Sequence, residues 1–218
     1  MDFERIFGLF SSERVRVYAD FIDPFSYIGF HNLRQAAEAR NITIEWRGFE
    51  FNPATPPEGL LLATNTNSDL RPGMWASVRA YAERSALNLR EPQFVPSTQH
   101  AQQVLRQLPN GAAKNALIEN FFRAYFVEGK DLGQPEVLRA AAAMAAPQWD
   151  ERIARALASP AKRDELEKDR QAAQERQFAG MPGFLYRGKT HFGALSATAW
   201  ENIFSHNTRS KELACSIK

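Results

Sequence analysis

The pattern of apolar and polar positions divides the chain into three stretches. Val15 to Asp20 alternates apolar and polar residues and runs into an aspartate with a proline soon after, which predicts a strand entering a turn. Pro24 stands where a helix starts, because its fixed φ suits the first turn and its missing N–H would be unsatisfied there anyway. Tyr27, Ile28, Phe30, Leu33, Ala36 and Ala37 then recur at helical spacing through Arg40. Ile42, Ile44 and Trp46, followed by Phe49 and Phe51, predict a second strand closed by the breakers Asn52, Pro53, Pro56 and Pro57.

From about Ser68 the period becomes helical. Helices are predicted over Met74–Leu87, Thr98–Leu108, Ala112–Phe126, Pro135–Ala145 and Trp149–Phe178, the last with a break near Pro160. The sheet pattern then returns. Gly183–Tyr186 and Thr190–Phe192 straddle a tight turn at Arg187, Gly188 and Lys189, and Ser196 can cap a last helix running through Phe204. The order βαβ, helical block, ββα predicts one α/β domain interrupted by a helical one. Its segments are 14–60 and 179–206, the all-helical insertion is 61–178, and 1–13 and 207–218 are terminal extensions. No internal repeat or low-complexity segment interrupts this plan.

Composition narrows the function classes. With 218 residues, 44% of them hydrophobic, the chain can bury a sizeable core. A net charge of +2 with scattered Lys and Arg lacks the basic face that nucleic-acid binding needs, so no nucleic-acid partner is expected. The longest apolar run, Ala140 to Ala146, falls far short of the roughly 20 residues that span a bilayer, so no membrane partner is expected either. Glu4 and Arg5 interrupt the N-terminal MDFERIFGLF, which does not read as a signal peptide, and the cytoplasm is the expected compartment. Cys215 is the only cysteine, leaving no partner for an internal disulfide and no second thiolate for a metal. His31, His100, His191 and His206 are dispersed, and no metal site is expected from their spacing. The charge run Lys162 to Arg170 reads as a solvated helix face, and Trp46 as a core residue of its strand.

The segment Asp20 to Gly29, DFIDPFSYIG, resembles the active-site turn of the DsbA-like thioredoxin family, whose redox members read D-F-x-C-P-x-C-Y-x-G. Three further stretches agree. Glu45–Gly59 is similar to that family's second strand and following loop, and Phe122–Leu138 to its inserted helices. Gly180–Gly193 is similar to the loop before the third strand, where the family places a cis-proline. The resemblance spans about 14 to 205 and implies a thioredoxin-like α/β fold with a large helical insertion. Within the family the chain resembles the FrnE-like proteins, the 2-hydroxychromene-2-carboxylate isomerases and the kappa-class glutathione transferases. The last two carry S-P-[YF]-S where redox members carry C-P-x-C. Here the four residues are Asp23, Pro24, Phe25 and Ser26, so the last three match the isomerase form and the first matches neither.

Disulfide exchange needs a thiolate to attack sulfur, and neither Asp23 nor Ser26 can supply one. By the resemblance, a serine at the position of Asp23 holds the sulfur of glutathione. A carboxylate about 4 Å from a thiolate repels it by about 4 kcal/mol at an effective dielectric near 20, against about 0.3–2 kcal/mol that a helix terminus offers an anion. Glutathione activation is therefore not expected, and the residues call for no other cofactor. Asp23 is instead a candidate general base whose pKa the helix terminus should lower, or simply a helix cap; Ser26 is a candidate hydroxyl donor or a small first-turn residue. Phe25 and Tyr27 either pack the turn or line the substrate pocket.

Met181 and Pro182 match the cis-proline of the family, which implies an open backbone edge able to pair with a peptide-like ligand. The serine-aspartate pair that holds the γ-glutamyl group in kappa-class relatives is replaced by Ala194 and Leu195. Three functions are compatible with these residues. The first is a non-redox, isomerase-like or transferase-like enzyme acting, with or without glutathione, on a small aromatic or conjugated substrate between the Asp23–Ser26 turn and Pro182. The second is a binding or scaffold protein that keeps the cleft, and the third a redox role through Cys215. A small-molecule substrate and a homodimer are the expected associations.

Overall fold

A computed structural model describes residues 13–62, 71–160 and 163–205. Strand β1 (Arg14–Ala19) buries Val15, Val17 and Ala19 completely, and β2 (Thr43–Gly48) lies parallel to it with Val15 opposite Ile44 and Val17 opposite Trp46. Helix α1 (Pro24–Glu38) makes the crossover between them and buries Ile28, Phe30, Leu33, Ala36 and Ala37 against the sheet. Near the other end of the chain, β5 (Gly183–Tyr186) runs antiparallel to β1 and β6 (Lys189–Phe192) antiparallel to β5, giving the strand order β2-β1-β5-β6. Arg187 and Gly188 form the turn between them, both with positive φ as a two-residue hairpin of this hand requires. A helix α8 over residues 197–205 follows, its Ala199 N–H donating to the Ser196 hydroxyl at 3.1 Å.

The second strand is shorter than its apolar pattern predicts. Phe49 N–H still donates to the Ala19 carbonyl at 3.1 Å, but the next amide of that edge, Phe51, donates to the side chain of Asp20 at 2.8 Å. Beyond Ala19 the sheet is continued by a carboxylate instead of a backbone, so Phe51 leaves the strand and is 47% exposed. A two-residue antiparallel pair, β3 (Leu60–Leu61) with β4 (Phe94–Val95), is too short to have left a periodic signature.

Between the two sheet segments lie α2 (Arg71–Arg84), α3 (Gln99–Leu105), α4 (Ala112–Phe126), α5 (Pro135–Ala145), a 3₁₀ turn (Pro147–Trp149), α6 (Asp150–Leu157) and α7 (Arg163–Glu175). These helices share the core of the sheet. Phe21 meets Phe121 and Phe122 of α4 at 5.4 and 4.9 Å and stacks on Trp46 at 5.2 Å, so apolar packing runs unbroken from β2 into the insertion. Helix α7 departs from the solvated face expected of its charges. Leu166 and Asp169 are buried, and Asp169 pairs with Arg106 at 2.5 Å and Arg47 at 3.5 Å. An apolar residue three positions before an acid turns that face inward, where Arg47 of β2 and Arg106 at the end of α3 supply the counter-charge. Lys162 lies outside the described residues.

Candidate functional site

The turn between β1 and α1 is built around two aspartates. Asp23 has an extended backbone and caps α1. One carboxylate oxygen accepts from Phe25 N–H at 3.2 Å, and the other from Ser26 N–H at 2.8 Å and the Ser26 hydroxyl at 2.6 Å. Burial pushes its pKa up to about 6, while those three donors pull in the opposite direction without prevailing. This reverses the lowering expected from the helix terminus: desolvation outweighs a dipole worth at most about 2 kcal/mol. Ser26 is fully buried, and its hydroxyl is turned back onto Asp23.

Asp20, three residues earlier, is 1% exposed. It accepts from Phe21 N–H at 2.7 Å, from the Thr98 hydroxyl at 2.8 Å and from Phe51 N–H at 2.8 Å, tying together the end of β1, the loop after β2 and the start of α3. Burial raises its pKa to about 6 as well, with the three donors opposing and the charge of Asp23 adding to the rise. The two aspartates are also joined through the backbone, Asp23 N–H donating to the Asp20 carbonyl at 3.3 Å.

Pro182 packs against α1. The Met181–Pro182 peptide is cis, and the Pro182 carbonyl accepts from Gly193 N–H at 2.8 Å. Helix α1 passes against it at Gly29, where a Cβ would sit 3.0 Å from Pro182 Cγ and 3.2 Å from Phe184 Cζ, so any larger residue would press these neighbours aside. Asn32, one turn on, donates to the Leu195 carbonyl at 2.9 Å. The turn, Pro182 and residues 193–195 are thus locked into one framework. Apolar side chains flank it. Phe25 is half-buried with its ring edge-to-face on Tyr81 at 5.8 Å, Met181 is partly exposed, and the half-exposed Phe192 covers Gly180.

Tyr27 sits on the opposite face of α1, 2% exposed and stacked on Phe122 at 5.0 Å. Its hydroxyl donates to Glu119 at 3.1 Å, and His31 reaches the same oxygen at 3.0 Å. Its contacts therefore lie between α1 and α4. His191 is packed against Trp200 at 5.7 Å, with its pKa lowered by burial, and His100 is half-buried at the start of α3. His206 and Cys215 lie outside the described residues.

A glutathione thiolate does not fit the first turn of α1. The donors that could receive it, Phe25 N–H, Ser26 N–H and the Ser26 hydroxyl, are all taken by the Asp23 carboxylate. Ala194 and Leu195, which stand where the relatives hold the γ-glutamyl group, pack onto the core.

Residues 14–204 match the DSBA-like thioredoxin domain. The chain belongs to that family. It has a single cysteine and no C-x-x-C motif, in contrast to the redox form of the active-site turn. Among solved structures it is similar to a probable DsbA oxidoreductase from Streptomyces coelicolor, with a TM-score of 0.74 and 22% identity over 89% of each chain. It is also similar to a 2-hydroxychromene-2-carboxylate isomerase, with a TM-score of 0.67 and 19% identity over 92% of this chain and 96% of the other. The uncharacterized protein YwbO of Bacillus subtilis is 22% identical over 130 residues, 57% of this chain and 62% of that protein. Likeness at these identities establishes the fold.

Sequence reasoning picked out Asp23, Phe25 and Ser26 from one motif and Pro182 from a second, 180–193. It missed Asp20 as part of the site, although Asp20 opens the first motif, because its partner Thr98 is 78 residues away and carries no local mark.

Proposed function

We propose that this DsbA-like protein is a non-redox isomerase of small aromatic or conjugated molecules, with Asp23 as the group that takes and returns a proton. The observation that carries this reading is the Asp23 carboxyl itself. It stands where redox members hold their attacking cysteine, has its pKa raised by burial to about 6, and is bonded to a buried hydroxyl at 2.6 Å. A base of that strength is mostly ionised at neutral pH yet can hold a proton during a reaction, as general acid–base catalysis requires. An ordinary aspartate, with its pKa near 3.8, would be a poorer proton acceptor.

Ser26 positions the carboxylate and supplies both of its short bonds, and with Phe25 N–H also bound one lone pair of the carboxylate is left for the substrate. Phe25 and Met181 offer flat and flexible apolar surface on which a conjugated ring can lie, with Pro182 behind them and Tyr27 buttressing the turn from below. The 2-hydroxychromene-2-carboxylate of the similar isomerase illustrates the chemistry. Its ring is a cyclic hemiketal, so removing the proton of the 2-hydroxyl forms a C=O bond as the ring C–O bond breaks. The proton then goes from Asp23 to the departing phenolate oxygen, and atoms and electrons balance within the substrate.

The test is turnover of 2-hydroxychromene-2-carboxylate and related conjugated 2-oxo acids, followed by absorbance with and without added glutathione. Turnover independent of glutathione and at least about 100-fold lower in Asp23→Asn is expected, as for loss of a general base. Turnover equal in both forms would overturn the assignment of Asp23, and absence of turnover across the set would overturn the substrate class.

A further inference from the structure

A cleft of about 270 Å³ opens between the loop after β2, the start of α3 and the first turns of α7. Its walls are Glu50, Pro53, Gln99, Arg163, Leu166 and Arg170, and no residue of the Asp23 turn lines it. Glu50 is 8% exposed and carries an acidic side chain where an apolar one would be expected. Gln99, 6% exposed, lines the cleft from α3 and donates to the Pro53 carbonyl at 3.5 Å. Arg170 is held by Glu167 through two bonds at 2.7 and 2.9 Å. Arg163 is exposed, with no ion-pair partner among the described residues.

We propose that this cleft binds a small zwitterion of the free α-amino-acid type, its ammonium group on the buried carboxylate of Glu50 and its carboxylate on Arg163. The lining selects both signs at once. A simple cation would meet Arg163 and Arg170 in the same lining as Glu50, and a simple anion would face Glu50, Asp164 and Glu167. A ligand carrying both charges satisfies the buried acid and the free guanidinium together, each by a charge-assisted hydrogen bond. The volume lies just below the roughly 300–1,000 Å³ usual for small-molecule sites, which limits the ligand to amino-acid size.

The charged surroundings of Glu50 also make binding visible. Burial first, and then the charge of Asp20 at the end of β1, raise its pKa to about 7, while Arg163 and Arg170 of α7 oppose the rise. Asp164 and Glu167 of the same helix complete the charged groups lining the cleft. At pH 7 Glu50 is therefore about half protonated, and an arriving ammonium group favours the ionised form. Binding at neutral pH should therefore release protons.

The experiment titrates the full chain with glycine, L-alanine, L-serine and L-glutamate, and separately with acetate and methylammonium, by amide NMR. Calorimetry in two buffers of different ionisation enthalpy counts the protons. At least one amino acid should shift the amides of Glu50, Gln99 and Arg163 saturably, with affinity about tenfold or more above acetate and methylammonium, and with proton release. Arg163→Ala, at an exposed position, should lower that affinity about tenfold without changing the unfolding temperature, and Glu50→Gln should also remove the proton release. Equal weak effects of all probes, no saturable shift with any amino acid, or shifts confined to the Asp23 turn would overturn the proposal.

Discussion

Asp20 and Asp23 are the same residue type three positions apart, both pushed by burial to a pKa of about 6, yet they do different work. Asp20 is almost sealed, and its bonds to Phe51 and Thr98 come from segments 31 and 78 residues away. Asp23 is only partly buried, and its donors all lie within three residues on its own helix turn. A carboxylate whose partners are gathered from across the fold is a clip that cannot move without unfolding something. One whose partners are local can gain or lose a proton while the fold stays intact. The raised pKa alone does not separate the two roles; the reach of the partners does.

The largest expected effect concerns the clip. Asp20→Ala leaves the Phe21 and Phe51 amides and the Thr98 hydroxyl without their acceptor, and denaturant unfolding should show a loss of roughly 3 kcal/mol or more. A loss below about 1 kcal/mol, the size of an exposed hydrogen bond, would erase the distinction. Asp23→Ala should cost only about 1 kcal/mol, the value of a helix cap, because its donors all lie within one helix turn and no distant segment is released.

Both aspartates, together with Glu50 at about 7, bind protons more tightly in the folded chain than in the unfolded one. Where folding takes up protons, stability falls as pH rises. The favourable contribution is fully present below the unfolded values, near 3.8 for the aspartates and 4.5 for Glu50, and is lost as pH climbs through about 6 to 7. The unfolding temperature should therefore be dragged down by these groups between about pH 4 and 7, and Asp23→Asn should flatten the slope below pH 6. An unchanged slope would mean that Asp23 titrates at its ordinary value. A smaller effect is expected for glutathione at neutral pH. Calorimetry should detect little binding to the wild type and more to Asp23→Ser, which removes the repelling charge and frees the first-turn donors. Tight binding by the wild type would contradict that repulsion.

Local chemistry made much of this molecule legible. Pro24 marked the start of α1 and Ser196 the cap of α8, since each acts on its own backbone within three residues. The motif from Asp20 to Gly29 pointed to the turn and to the helix it opens, while the close passage of α1 by Pro182 at Gly29 shows only in the fold. What escaped depends on contacts distant in sequence. The apolar pattern at Phe49 and Phe51 overran the strand because the Asp20 side chain takes over where the β1 backbone ends. The charges of α7 read as solvated because Arg47 and Arg106, which hold Asp169, are supplied by other elements. The pKa of Asp23 was read in the wrong direction because burial, the larger effect, is set by packing that no stretch of ten residues encodes.

The most direct test is an NMR titration of the Asp23 side-chain carboxyl carbon in the wild type and in Ser26→Ala. A midpoint near 6 is expected in the wild type, moving higher in Ser26→Ala as the hydroxyl that favours the ionised form is removed. A midpoint at or below the ordinary aspartate value of 3.8, unmoved by the loss of the hydroxyl, would reduce Asp23 to a helix cap and contradict its role as the proton-transferring group of the cleft.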